Sequence, residues 1–243
     1  MIDRRHFLKA ASGVVGLSLF PEISRAQEPG PGSIIWTFVA DDGGLGRPAL
    51  HNDALYVAGA ANVYGVDAGS GAERWRSPTT GRGAGLSSVG ESTVYATNGG
   101  RYSFTAYAID AASGAERWTF EANSIGFFPP IEVDGTVYVG KDDFALCALD
   151  PITGEERWRF TTLDAATDSP LIDGETLYVG SFASNLYALD AATGAELWRF
   201  FAGERISTPE AVVDGVVYAG SSDANVYALD AATGIERWRF TCN

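Results

Sequence analysis

Few residues in this sequence are of types and spacings that do chemistry. His6 and His51 are the only histidines. His51 precedes Asn52-Asp53 in a predicted hairpin turn and reads as a solvated turn residue. Cys147 and Cys242 stand 95 positions apart. They form no zinc-binding pair, because the usual ligand sets need three or four converging Cys or His side chains. Cys147 reads as a small core residue and Cys242 as a stray thiol, and a disulfide between them stays open for a chain that resides outside the cell. Asp142-Asp143 has the oxygen ligands calcium prefers, but adjacent carboxylates on a strand-connecting loop read as solvated. No Gly-x-Ser-x-Gly elbow and no phosphate-binding loop occurs, and nothing singles out a carboxylate pair for hydrolysis. No catalytic residue and no metal site is assigned.

The charge balance points the same way. Seventeen Lys and Arg face 31 Asp and Glu, a net of −14, and such a surface repels nucleic-acid phosphates. Only Lys9 and Lys141 are lysines. An acid-rich, Lys-poor chain is of the halophilic kind, where net charge keeps the protein soluble; a GC-rich codon bias is the alternative source. No stretch after residue 26 is long and apolar enough for a membrane-spanning helix.

Residues 1–26 read as an address to be set aside from the fold. Asp3-Arg4-Arg5-His6-Phe7-Leu8-Lys9 resembles the twin-arginine (Tat) export motif; an apolar run follows from Ala10 to Phe20, and Ser24-Arg25-Ala26 offers a cleavage position. The expectation is export to the cell surface or beyond, periplasmic in a bacterium, with residues 27–243 as the mature domain and an uncleaved anchor as the alternative.

The elements that would position any site are written in the tryptophans. Trp36, Trp75, Trp118, Trp158, Trp198 and Trp238 are spaced by 39, 43, 40, 40 and 40 residues, and a fixed period near 40 signals a repeat architecture. In the cleanest copy, Thr176–Gly180, Asn185–Asp190 and Glu196–Phe200 are short β-branched and aromatic runs separated by turn residues, with a further run at Ser169–Ile172. This is strand spacing and leaves no room for a helix. Asp134-Gly135, Asp173-Gly174 and Asp214-Gly215 are dipeptides that two-residue hairpins favour, because type I′ turns need positive φ. A second turn, Asp-x-x-Thr/Ser-Gly, recurs at Asp67–Gly71, Asp110–Gly114, Asp150–Gly154, Asp190–Gly194 and Asp230–Gly234. Each repeat is therefore a four-stranded antiparallel sheet, which buries both faces only by stacking on its neighbours around an axis. The fold class is all-β, a propeller of about five four-stranded blades.

Ala188-Leu-Asp190-Ala-Ala-Thr193-Gly194-Ala-Glu-Leu-Trp198 resembles the tryptophan-docking motif of the PQQ-like (quinoprotein) repeat family, Ala-x-Asp-x-x-Thr-Gly-x-x-x-Trp. Residues 228–238 and 148–158 match fully, 108–118 differs at Ser113, and 65–75 differs at Gly65 and Ser70. The resemblance implies that the six Trp side chains are structural, each packing between neighbouring blades. It also frames two functions. Quinoprotein alcohol dehydrogenases carry eight such blades with pyrroloquinoline quinone and calcium; the outer-membrane assembly factor of the BamB type carries about seven and is a binding scaffold. Adjacent cysteines expected near the quinone are missing here, so no cofactor is expected, with PQQ and calcium as the alternative.

One strand is in excess. Ile34–Phe38 reads as an additional outer strand, making 21, while the last repeat already owns its outer strand around Trp238. A compact five-bladed ring is expected, with an open arc or a shortened relative as alternatives. Loops that enter the innermost strands share a face with those between second and third strands, and they vary while the framework does not, as binding loops do. Candidates for that face are Arg47, Arg101, Tyr102, Phe127, Phe128, Lys141, Asp142, Asp168, Phe182 and Arg205, with Arg82 and Asp223 beside them. The expected function is an exported, non-catalytic protein-interaction scaffold with an unidentified protein partner, and self-association if the ring is open. The alternative is a small-molecule or quinone-binding propeller.

Overall fold

A computed structural model describes residues 33–80, 85–99, 104–122, 128–141, 144–162, 166 and 169–242. The expected twin-arginine segment, residues 1–26, lies outside them. Twenty strands form five four-stranded antiparallel sheets, each in simple up-and-down order. The first holds β1 (Ala49–His51), β2 (Ala54–Ala58), β3 (Asn62–Asp67) and β4 (Glu73–Pro78). The second holds β5 (Gly85–Val89), β6 (Thr93–Gly99), β7 (Phe104–Asp110) and β8 (Glu116–Ala122). In the third are β9 (Ile131–Val133), β10 (Thr136–Lys141), β11 (Ala145–Leu149) and β12 (Glu156–Thr161). The fourth comprises β13 (Leu171–Asp173), β14 (Thr176–Gly180), β15 (Asn185–Asp190) and β16 (Glu196–Phe201), and the fifth β17 (Ala211–Val213), β18 (Val216–Gly220), β19 (Asn225–Asp230) and β20 (Glu236–Thr241).

Middle strands of the inner blades are covered on both faces by neighbouring sheets, and β11 is buried at every residue. Outer strands alternate instead, so that in β16 Trp198 points inward between exposed neighbours, as a half-buried strand requires. Each of the four blade-to-blade seams is one apolar cluster. Tyr56 and Trp75 meet Val94 and Tyr107, for example, and Tyr178 and Trp198 meet Val217 and Tyr227.

The repeat motif has a physical role at every position. In all five sheets the register slips opposite the residue that precedes the Trp; this is a β-bulge, which re-aims the side chains around it. Small Ala148, Ala188 and Ala228 pair across from Trp158, Trp198 and Trp238. The turn Asp accepts the backbone N–H and, where Ser or Thr allows, its hydroxyl, as Asp190 Oδ1 does from Thr193 at 2.8 and 2.7 Å. Gly closes the turn at φ near +70°, a conformation that costs residues with a Cβ.

The same Gly receives the preceding blade's Trp. A Cβ at Gly71, Gly114 or Gly154 would fall 2.7 Å from the indole of Trp36, Trp75 or Trp118. Each indole N–H also donates to a carbonyl of that turn. Trp36 reaches Ala68 O at 3.1 Å, Trp75 Ala111 O at 3.0 Å, Trp118 Pro151 O at 3.2 Å, Trp158 Ala191 O at 3.1 Å and Trp198 Ala231 O at 2.9 Å. A large ring with a satisfied polar tip fastens each sheet to the next.

The bulged residue completes the turn. Arg74, Arg117, Arg157 and Arg237 fold back to the free carboxylate oxygen of Asp67, Asp110, Asp150 and Asp230 at 2.6–2.9 Å. Ser113 and Arg117 hold the Asp110 carboxyl at about 2, Thr153 and Arg157 do so for Asp150, and Arg237 and Thr233 for Asp230. These turns stay charged down to strongly acidic pH. The fourth blade departs: Leu197 occupies the bulge and is 54% exposed.

Three expectations are corrected. Residues 34–38 form no strand, because Trp36 and Phe38 dock on the face of the first blade rather than along a sheet edge. The hairpin of the fourth blade turns on Gly174-Glu175 rather than Asp173-Gly174, since Asp173 pairs with Thr176. The compact five-bladed ring also gives way. Ring closure would dock Trp238 on the turn Asp67–Gly71, and Trp36 is already seated there. Trp238 is 48% exposed, against 8–9% for Trp75, Trp118, Trp158 and Trp198. Both cysteines are free, Cys147 buried and Cys242 exposed. No helix among the described residues is long and apolar enough to cross a membrane.

Candidate functional site

Loops that vary on the regular scaffold lie between the outer strand of one blade and the inner strand of the next, and between second and third strands. Arg205 precedes β17, and Phe182 lies in the β14–β15 turn. The structure brings these two together, with the Arg205 guanidinium over the Phe182 ring at 4.3 Å. Phe182 is 44% exposed and Arg205 is exposed. A cation stacked on an exposed ring is a flat, amphipathic surface of the sort protein interfaces use as an anchor.

Charge pairing separates this position from the rest. Arg74, Arg76, Arg117, Arg157, Arg159, Arg199, Arg237 and Arg239 all pair with carboxylates. Among the described arginines, only Arg47 and Arg205 make no ion pair, and both lie in loops that enter an innermost strand. Arg47 is exposed in the loop before β1. A pocket of about 350 Å³ opens beside Arg205, lined by Ser207, Ser221, Ser222, Asn225 and Cys242.

Other expected face residues divide. Phe128 is 2% exposed and packs among Tyr138, Leu146, Trp158, Leu177 and Val179; its ring fills the seam between the third and fourth blades and is not available to a partner. Asp223 serves the framework, accepting from Tyr227 Oη at 2.6 Å, Asn225 N at 3.0 Å and Gly203 N at 3.1 Å. Partial burial opposes its charge, but these bonds together hold its carboxyl at about 2. Lys141 ends β10. Arg82, Arg101, Tyr102, Phe127, Asp142 and Asp168 lie outside the described residues.

Sequence reasoning missed Phe144. It occupies the β10–β11 turn, equivalent to the turn that carries Phe182, and is 42% exposed. Its φ is +59°, a region where bulky side chains are rare. The equivalent residues Ser184 and Ala224 share that conformation, so the turn type is the family signal and the ring is the departure. Alignment of the three loops would have found it.

Asp41 and Asp42 form a second polar cluster at the first blade. Tyr64 Oη lies 2.8 Å from Asp41 Oδ1 and 2.7 Å from Asp42 Oδ1. Arg76 pairs with Asp41 and sits over the Tyr64 ring, and Ala61 N donates to Asp42 at 2.7 Å. Burial and both acids push the Tyr64 hydroxyl up. Every group is used in tying residues 36–42 to the blade, so the cluster reads as a latch.

Comparison with known proteins agrees with this geometry. A family model described as outer membrane protein assembly factor BamB matches residues 22–159 and 103–242. No curated protein matches the chain. Among solved structures, BamB from Moraxella catarrhalis superposes with a TM-score of 0.62 at 24% identity, covering 86% of this chain and 65% of that one. Two quinohemoprotein alcohol dehydrogenases also superpose. The Pseudomonas putida enzyme has a TM-score of 0.57 at 20% identity, covering 82% of this chain and 42% of its own. The Comamonas testosteroni enzyme has 0.59 at 16% identity, covering 81% and 42%. The chain thus spans about two thirds of the BamB structure and less than half of each dehydrogenase, and at these identities the likeness is one of fold.

Proposed function

Because the chain belongs to the family described as outer membrane protein assembly factor BamB, we propose that it is an exported, non-catalytic scaffold that offers its variable loop face to a protein partner. The observation that carries this reading is the Arg205–Phe182 stack. Where eight arginines are neutralised within the framework, this cation is left unpaired on an exposed ring. An acidic or carboxylate-bearing segment with an apolar neighbour would satisfy both groups. Export rests on the twin-arginine motif at Arg4-Arg5 and places the partner at the cell surface or beyond.

The dehydrogenase-like alternative, a propeller binding a quinone or another small molecule, draws on shared fold. A calcium-held quinone needs converging carboxylates and, by family resemblance, adjacent cysteines. No three His, Cys, Asp or Glu side chains converge among the described residues, while Cys147 is buried in β11 and Cys242 is exposed beyond β20. These residues do not fit that group, and no step is derived through it.

The test is photo-crosslinking in the native host, with a crosslinking residue at position 182 and a control at Ile152 on the outer turn of the third blade. The scaffold reading expects a discrete protein adduct at 182 that Arg205→Glu abolishes and that is missing at 152. Equal labelling at both positions, or adducts indifferent to Arg205→Glu, would remove this face from the reading.

A further inference from the structure

The outward face of the fifth blade carries the parts of the joint that fastens the other blades, and no described residue covers it. Besides Trp238, Phe240 is 62% and Ile235 67% exposed. Tyr218 packs on Trp238 at 5.9 Å and 51°, as Tyr178 packs on Trp198 at 5.8 Å and 50°, so the indole is already held in the docking pose. The strand ends agree. Gly180 is pressed by the backbone of residues 206–208, and its N–H donates to Thr208 Oγ1 at 3.1 Å. Its counterpart Gly220 meets nothing within 4 Å, and the 350 Å³ pocket opens beside it.

Joints inside the chain define what fits such a face. The acceptor needs a turn Gly on which the indole can lie, a turn carbonyl for the indole N–H, and a third-strand Tyr for the Phe two residues beyond the Trp. Phe160 meets Tyr187 at 5.2 Å and Phe200 meets Tyr227 at 5.0 Å in that way. The first blade owns all three in Gly71, Ala68 O and Tyr64. Within one molecule they are held by Trp36 and by Phe38, which lies 5.3 Å from Tyr64. That holder lacks the ladder hydrogen bonds of a strand and rests on side-chain contacts and the Asp41–Asp42 latch. Residues 33–40 belong to no strand, and Ile34, Ile35 and Val39 are 77–82% exposed.

We infer that a second copy of this chain docks its first blade on the fifth blade of the first copy, with Trp238 and Phe240 of one molecule replacing Trp36 and Phe38 of the next. The exchange conserves the indole hydrogen bond and the aromatic pair. β20 brings both rings already ordered on a strand, and the exchange covers apolar surface that is otherwise wet. The contact is head-to-tail, so it links successive copies rather than closing a symmetric pair. Two terms oppose it. The tethered segment competes at an effective concentration on the order of millimolar, and each copy carries a net charge of −14. Association therefore strengthens with protein concentration and with salt, which screens the repulsion.

Sedimentation velocity on the full chain in low and high salt tests this. Wild type is expected to associate with concentration, more strongly in high salt. W238A/F240A stays monomeric. W36A/F38A, whose acceptor is open, associates at concentrations about tenfold lower or less, because its tethered competitor is disabled; adding W238A/F240A to it restores the monomer. Should W36A/F38A fail to fold, D41A/D42A loosens the same segment and replaces it. Wild type and the opened variant both monomeric throughout would overturn the inference, as would association that survives W238A/F240A. Loss in W238A/F240A without gain in W36A/F38A would mean that two fifth-blade faces meet each other, and would overturn it equally.

Discussion

Residues 188–198 and 228–238 are almost the same sequence in two different surroundings. Both run Ala-Leu-Asp-Ala-Ala-Thr-Gly, both bulge before the Trp, and both hold the indole against a Tyr of the second strand. Trp198 is 8% exposed and Trp238 48%. The motif therefore encodes a donor whose pose is set inside its own blade. Burial comes from the next blade's Gly turn, and with it the stabilisation. In an array whose stability is a sum of blade and seam contributions, the same side chain is a staple in one place and an open contact in the other.

The most forceful way to break this comparison is to remove both rings. Trp198→Ala is expected to cost about 3–5 kcal/mol, the usual range for emptying a buried Trp site. Trp238→Ala in dilute monomer is expected to fall within about 1 kcal/mol, as for surface substitutions that disturb no packing. Denaturant unfolding of both variants measures the gap, and equal losses would contradict it.

A finer cut separates turn conformation from docking. Gly194 and Gly215 both sit at φ +71°, but the Trp158 ring covers Gly194 while Gly215 is open, its nearest neighbour Arg237 at 4.0 Å. Gly215→Ala should show the backbone cost alone, about 1 kcal/mol. Gly194→Ala should cost about 1–3 kcal/mol more, because the added methyl must displace an indole. Thermal melts of the two variants would sharpen the comparison, and equal shifts would mean that the turn Gly serves conformation only.

Much of this was legible in the sequence because each blade repeats its reasons locally. The Trp spacing, the Asp-x-x-Thr-Gly turns and the alternating strands are short-range signals, and Asp134-Gly135 and Asp214-Gly215 turn where they were expected to. Long-range properties were less legible. Trp36 and Trp238 look alike in sequence, yet which of them holds the first blade's acceptor depends on closure geometry over the whole array. Phe128 read as a face residue because its counterparts are small or polar, whereas its ring fills a seam beneath Gly140, 3.1 Å from where a Cβ would lie. Arg205 and Phe182 were both on the expected face, but their stacking needed the fold, since they stand 23 positions apart with two entire strands between them. Phe144 was hidden because the left-handed turn it occupies carries no glycine in any of the three loops.

The central claim is that five of the six tryptophans are docked on a neighbouring turn and that Trp238 is not. Hydrogen exchange at the indole N–H groups, assigned by single Trp→Phe replacements in dilute monomeric protein, reads this one ring at a time. Slow exchange is expected for Trp36, Trp75, Trp118, Trp158 and Trp198, whose N–H groups donate to turn carbonyls, and near-solvent exchange for Trp238. Protection of Trp238 together with release of Trp36 would mean that the fifth blade closes onto the first, and would contradict the account.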